Sequence, residues 1–293
     1  MNLFWRDVES TMSGALNTKV QILSSKSLGG GCINNTSRLQ TNVGEFFLKS
    51  NANCAADMFE REAEGMKELA KATDAHLLVP AVVCYKEVNE TPGFLVLEYL
   101  HSGYPEKNTD EMLGRGLAHV HRFQNKQFGF DHNNYCGATP QHNKWNSSWV
   151  EFFRDQRIGF LLKLIERERG LTPGEKSTYE KLMEQIPGLL PADVEPSLIH
   201  GDLWSGNYMI TPGGPALIDP AVYYADREME FAIITMFGGF SQRFFDAYND
   251  VYPLQKDWRE RNRLYQLYHI LNHYFLFGGG YGSQALSVAK SYL

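Results

Sequence analysis

A chain of 293 residues with 43% hydrophobic, 13% aromatic and 21% charged positions carries ample core material, which excludes a disordered, collagen-like or coiled-coil protein. Its 28 Lys+Arg against 34 Asp+Glu, net -6, include no basic run able to track a phosphate backbone, so nucleic acid is excluded as a partner class. Cys32, Cys54, Cys84 and Cys136 are widely spaced with no C-x-x-C pair, the usage expected of reduced cytoplasmic thiols.

In chain order, residues 2–16 predict a short amphipathic helix, and Arg6, Asp7 and Glu9 interrupt the apolar stretch that a signal peptide needs. The segments VQILSSKSL, CINNTSRLQT and GEFFLKS then predict a three-strand meander, 55–71 a helix, and AVVCYKEV and GFLVLEYL two strands around the turn NETPG. Residues 1–100 are thus expected to form a sheet-rich lobe with one helix in its interior. Beyond them, 108–124, 145–168, 174–186, 227–237, 241–250, 257–276 and 283–292 predict helices, with two short strands between 198 and 219. Residues 101–293 should therefore form a larger, mostly helical lobe. Within 257–276, Leu264, Leu267, Tyr268, Leu271 and Phe275 follow a helical core stripe. The longest uncharged run, 264–289, holds Gln266, His269, Asn272, His273 and three glycines in a row, so no membrane span is expected.

Gly29, Gly30, Gly31 and Cys32 lie between two predicted strands, where absent side chains would let backbone N–H groups approach a phosphate; a plain hairpin turn is the competing reading. Lys49 sits in the apolar strand Phe46-Phe47-Leu48-Lys49. At 100° per residue, Phe59, Glu62, Ala63, Met66 and Ala70 share one face of the following helix, whereas Glu60, Glu64 and Glu68 do not. A carboxylate on a buried face needs a cation, and Lys49 is the candidate partner of Glu62.

The segment Leu198 to Asn207, LIHGDLWSGN, spaces Asp202 and Asn207 as the base and metal-binding asparagine of a kinase catalytic loop are spaced, and Asp219 follows the short apolar strand Ala216-Leu217-Ile218. Phosphoryl transfer needs negative charge neutralised. Lys49 would contact the nucleotide phosphates, Asn207 and Asp219 would offer hard oxygen ligands to Mg²⁺, and Asp202 would orient the acceptor hydroxyl and take its proton. His200 is expected to hydrogen-bond within the loop. Gly201 replaces the arginine of H-R-D, Pro220 follows Asp219 where Asp-Phe-Gly would continue, and no A-P-E segment anchors an activation loop, so regulation by activation-loop phosphorylation is not expected.

The segments GGGCINNTSRL, FFLKSN, MFEREAEGMKEL, FLVLEYL, GRGLAHVHR, HNKWNSSWVEFFRDQRI, HGDLWSGN and ALIDPAVYYADREMEFAI span almost the whole chain and resemble the fructosamine/ketosamine 3-kinases, relatives of the aminoglycoside phosphotransferases. The resemblance implies an α+β, two-lobed, protein-kinase-like fold with a small, mostly antiparallel sheet lobe. It also implies ATP-dependent phosphorylation of the 3-hydroxyl of a ketoamine, small or protein-bound, with Mg²⁺. The 3-phosphate then sits beside the ketone carbon, so the product falls apart and frees the amine, which is deglycation. Glu98-Tyr99-Leu100 matches the hinge that binds adenine through backbone groups.

For the acceptor, Trp204 and Asp226 are the candidates, with Trp145 third; core packing for the tryptophans and a helix N-cap for Asp226 are the alternatives. Cys32, beside the glycine cluster, is a candidate redox switch or intersubunit disulfide, with an inert small residue as the alternative. The chain is expected to be a monomer or homodimer. An aminoglycoside, choline or homoserine kinase, and a non-catalytic nucleotide-binding protein, are the rival functions.

Overall fold

The computed structural model describes residues 2–29 and 34–293. It begins with helix α1 (Leu3–Leu16), which Asn2 caps by accepting from Phe4 N at 3.3 Å and Asn17 ends in a left-handed conformation, φ 50°. Strands β1 (Ile22–Leu28), β2 (Asn35–Thr41) and β3 (Gly44–Asn51) form the expected meander. Helix α2 (Met58–Ala72) follows, then β4 (Val82–Lys86) and β5 (Gly93–Glu98), giving one antiparallel sheet in the order β1-β2-β3-β5-β4. The unbroken apolar run Phe94-Leu95-Val96-Leu97 explains why β5 is interior: it is buried on both faces. Phe94 and Val96 pack with Val8 and Met12 of α1, while Leu95 and Leu97 pack with Phe59, Ala63 and Met66 of α2.

Leu69, not Ala70, completes the buried face of α2, because the end of this helix runs into the larger core, where Leu69 and Ala72 join Leu113 and Leu117. Other contacts also tie α2 to the second lobe. Tyr135 Oη donates to Asp57 Oδ1 at 2.7 Å and Tyr224 Oη to Glu68 Oε1 at 2.9 Å. Gly65 faces Val222 so closely that an added Cβ would lie 3.0 Å from Val222 Cγ2.

The second lobe contains α3 (Thr109–His121), β6 (Asn134–Cys136), β7 (Thr139–Gln141), α4 (Trp149–Glu151), a π-helical segment (Phe152–Gly159), α5 (Phe160–Arg169) and α6 (Pro173–Leu189). It continues through β8 (Ser197–Ile199), β9 (Tyr208–Thr211), β10 (Gly214–Leu217), β11 (Tyr223–Ala225), α7 (Glu228–Phe237), α8 (Gln242–Val251), α9 (Trp258–Phe277) and α10 (Tyr281–Lys290). Along α9, Leu264, Leu267, Tyr268 and Leu271 are buried as expected, and Phe275 is half-buried. Among the described residues no helix is long and apolar enough to cross a membrane.

Three expectations about this lobe need correction. The helix expected over 145–168 starts at Trp149 and is interrupted by the π-helical turn, which carries Arg157. That side chain is fully buried, donates to Asn143 Oδ1 at 2.7 Å and lies 3.8 Å over the ring of Tyr223. The hairpin β6–β7 forms where no element was expected, and the two strands expected between 198 and 219 are instead β8, β9 and β10, with β11 just beyond. β9 pairs with β10, and β8 pairs with β11. Strands this short are set by their partners, since three or four residues carry no readable alternation.

Candidate active site

The site lies where β3 and α2 meet the loop after β8. Lys49, on the buried part of β3, donates to Glu62 Oε1 at 2.7 Å and to Asp219 Oδ1 at 2.8 Å. Burial opposes the Lys49 charge, but the two carboxylates outweigh it and hold the ammonium pKa above its ordinary value. Burial also pushes Glu62 up, and the nearby charge of Asp219 adds to it, against the pull of Lys49. Glu60 and Glu64, on the other side of α2, are held by Arg61 instead. Helix periodicity therefore separates the three glutamates as expected.

The loop after β8 is shaped by backbone positions that tolerate few residues. Gly201 has φ +83°, and a Cβ there would lie 2.2 Å from the carbonyl oxygen of Ala221, which explains the missing arginine. Asp219 is a non-glycine residue in left-handed conformation, φ 56°, the kind of local strain found at functional sites. Fully buried His200 has its Nε2 2.9 Å from the carbonyl oxygen of Ile218, while its Nδ1 accepts from Asp202 N at 3.3 Å. This is the pattern of a neutral ring, and burial lowers its pKa in agreement. His200 is thus the expected loop hydrogen-bonder.

Asn207 Nδ2 donates to Asp202 Oδ2 at 3.0 Å and to the Asp202 carbonyl at 2.8 Å. Its amide nitrogen thus committed, Asn207 keeps Oδ1 for another partner, and Asp219 keeps its second carboxylate oxygen. An amide and a carboxylate oxygen are donors that suit a hard divalent cation. Burial, with the charges of Glu230 and Asp219, pushes Asp202 up to about 8 despite the Asn207 hydrogen bond.

Glu230 on α7 was not singled out from the sequence, yet it anchors this loop. Its carboxylate is buried and accepts from His200 N at 2.5 Å and Gly201 N at 3.1 Å. His121 lies behind it, Nε2 3.7 Å from Glu230 and Nδ1 2.8 Å from Tyr248 Oη, fully buried, and burial lowers its pKa. The sign follows directly. His121 stays neutral in the fold but takes a proton in the unfolded chain below about pH 6.5, so it leaves stability unchanged above that pH and lowers it progressively below. Between pH 7.5 and pH 5.5 His121→Gln is therefore expected to lose less stability than the wild type, the difference growing by up to about 1.4 kcal/mol per pH unit below pH 6.5, as denaturant midpoints of the two proteins would show.

The acceptor candidates separate. Trp204 is 39% exposed and folds over Gly206, where a Cβ would lie 2.3 Å from the indole; its ring is 5.8 Å from Phe237. Phe237 in turn lies 5.4 Å from His273, two aromatic neighbours that the sequence reading missed. The structure does not bring Asp226 to this surface. It is 3% exposed and accepts from Glu228 N at 3.0 Å and from Tyr265 Oη at 2.6 Å; the N-cap of α7 is Arg227, so Asp226 stands one residue ahead of the cap position expected as its alternative. Trp145 is half-buried with its ring 6.0 Å from Tyr224, a packing position.

Glu98 ends β5, and Tyr99 and Leu100 leave the ladder between the two lobes, where a hinge belongs. Gly29 is exposed at the end of β1; Gly30, Gly31 and Cys32 lie outside the described residues. The remaining cysteines, Cys54, Cys84 and Cys136, are free thiols.

With this geometry in place, comparison with known proteins is informative. The fructosamine kinase family model matches residues 4–293. A chloroplastic protein-ribulosamine 3-kinase of Arabidopsis thaliana is 39% identical over 280 residues, covering 93% of this chain and 83% of its own. A probable ketoamine kinase of Synechocystis is 36% identical over 291 residues, covering 99% and 97%. A crystal structure described as a fructosamine-3-kinase, from Haemophilus somnus, superposes with TM-score 0.87 at 27% identity, covering 100% of both chains. An aminoglycoside phosphotransferase solved with AMP-PNP and hygromycin B reaches TM-score 0.65 at 16% identity over 98% of this chain and 97% of its own, a likeness of fold.

Proposed function

Because the chain belongs to the fructosamine kinase family, we propose that it transfers the γ-phosphoryl group of ATP to the 3-hydroxyl of a ketoamine, small or protein-bound, in the cytoplasm. The observation that carries this reading is the convergence of Lys49, Glu62 and Asp219 in one ion cluster beside the Asp202–Asn207 pair. Its parts come from both lobes, for which we propose a boundary between residues 100 and 101.

In this reading Lys49, held in place by Glu62, contacts the α- and β-phosphates. The backbone of Glu98, Tyr99 and Leu100 receives adenine. Asn207 and Asp219 would hold Mg²⁺, whose charge would offset that of the phosphates. Asp202 orients the acceptor hydroxyl and takes its proton, a role suited to a carboxylate whose pKa lies near the working pH. Trp204, with Phe237 beside it, offers an apolar face to the sugar or its amine substituent. Phosphate placed beside the ketone makes the product labile, so the amine is released.

The test is ATP consumption by the purified chain with fructoselysine, ribuloselysine, kanamycin, choline or homoserine. Turnover with the ketoamines alone is expected. Turnover only with another acceptor would overturn the substrate assignment while keeping the kinase chemistry, and no turnover with any acceptor would overturn the enzyme reading.

A further inference from the structure

At the loop after β8, three side chains from distant parts of the sequence converge in a way that phosphoryl transfer does not call for. Cys136 ends β6, His269 lies mid-way along α9, and Asp202 is the proposed base. One ligand-capable atom of each lies within 4.8 Å of the others. Cys136 and His269 are each 1% exposed. His269 Nδ1 is buried with no hydrogen-bond partner, a state that costs free energy until a partner arrives. Asn272, one turn along α9, donates to Cys136 Sγ at 3.3 Å, an outer contact that would stabilise negative charge on sulfur.

A thiolate, an imidazole and a carboxylate are the donor set of a borderline-soft divalent cation, not of Mg²⁺. We propose that Cys136, His269 and Asp202 form an inhibitory binding site for a zinc-class cation. Zinc–sulfur bonds of about 2.3 Å and zinc–nitrogen bonds of about 2.0 Å need ligand atoms about 3.3–3.7 Å apart in a tetrahedron, so the three side chains close on the ion by modest rotations. The Cys136 Sγ–H bond breaks, its electron pair goes to the metal, and the proton leaves to water. The fourth position stays open to water. Occupancy engages the Asp202 oxygen that the acceptor hydroxyl needs, so the ion blocks turnover; this consequence rests on the proposed function, whereas binding does not.

The test uses the full chain, titrated with Co²⁺ as a spectroscopic stand-in for Zn²⁺. The expected result is one equivalent of tetrahedral cobalt with a thiolate-to-metal charge-transfer band, abolished in Cys136→Ser and displaced by Zn²⁺. His269→Gln should weaken binding by about ten- to a hundred-fold and gives a second reading should the cysteine variant fail to fold. In the kinase assay, Zn²⁺ should inhibit at low occupancy with Mg²⁺ and ATP in excess, and the inhibitory concentration should rise about ten- to a hundred-fold in either variant, each measured against its own uninhibited rate.

Absence of the band overturns the proposal. So does a band that survives Cys136→Ser, which would place the ion on Cys32 or Cys54. Cobalt bands without charge transfer would do the same, pointing to the half-buried Asp74, His76 and His119 group, which has no thiol. A cysteine-dependent band in a chain that phosphorylates no acceptor would overturn the proposed function and leave the metal site standing.

Discussion

Asp202→Asn is expected to lower turnover by about 10²- to 10⁴-fold while leaving the chain as stable as before, or more stable, in the absence of divalent cation. The replacement keeps the size and planarity of the group, and an amide oxygen can still accept from Asn207 Nδ2. What it removes is the proton acceptor. It also removes a buried charge that the fold tolerates poorly: the folded pKa, pushed up to about 8, lies above the ordinary carboxylate value. A raised carboxylate pKa means that ionisation weakens the fold as pH climbs toward 8, so the stabilising effect should be larger at pH 8 than at pH 6. Steady-state rates with a ketoamine and thermal melts at both pH values check the two halves together. A variant that loses activity and also melts much earlier would mean that Asp202 serves structure instead.

Glu230→Ala is expected to cost about 2–6 kcal/mol of stability and to impair turnover, although Glu230 belongs to a different element from the proposed reacting groups. The side chain accepts the backbone N–H groups of both His200 and Gly201. Removing it strands two buried donors, each costing about 1–3 kcal/mol. The loop that aims Asp202 begins at these two residues, so kcat should fall even when the protein is folded. Glu230→Gln retains one acceptor oxygen and should lie between wild type and alanine on both scales. Denaturant titration alongside kcat for the three proteins provides the check, and an alanine variant with full activity would show that the loop holds its shape unaided.

The contrast between these residues explains what the sequence disclosed. Asp202, Asn207 and Asp219 were legible because the loop's chemistry and its spacing are local, and Glu62 because an offset of two residues turns Glu60 and Glu64 about 200° away from it around the helix. Glu230 was not legible: it follows Asp226 as an acid at the start of a helix, which has an ordinary explanation, and its backbone partners lie some thirty residues upstream. His269 and Asn272 were hidden for a related reason, since the apolar stripe of α9 accounts for that helix without them. The π-helical turn around Arg157 has no side-chain period of its own to announce it. Asp226 misled in the opposite direction, because an acid following a recognisable motif looks like a ligand until its burial against Tyr265 is seen.

The seating of α2 has a consequence for control. In a protein whose glutamate-bearing helix can swing outward, breaking the lysine–glutamate pair is an off state, and a modified loop or a partner can select it. Here Asp57, Gly65 and Glu68 fasten that helix to Tyr135, Val222 and Tyr224 of the other lobe, from near its first turn to its third. Swinging it out would break both hydrogen bonds and open a gap against the larger core at Leu69. The resting molecule is thus assembled for work, with the Lys49–Glu62 pair already made. Its output should follow the supply of nucleotide and acceptor, with no repositioning of α2 required first.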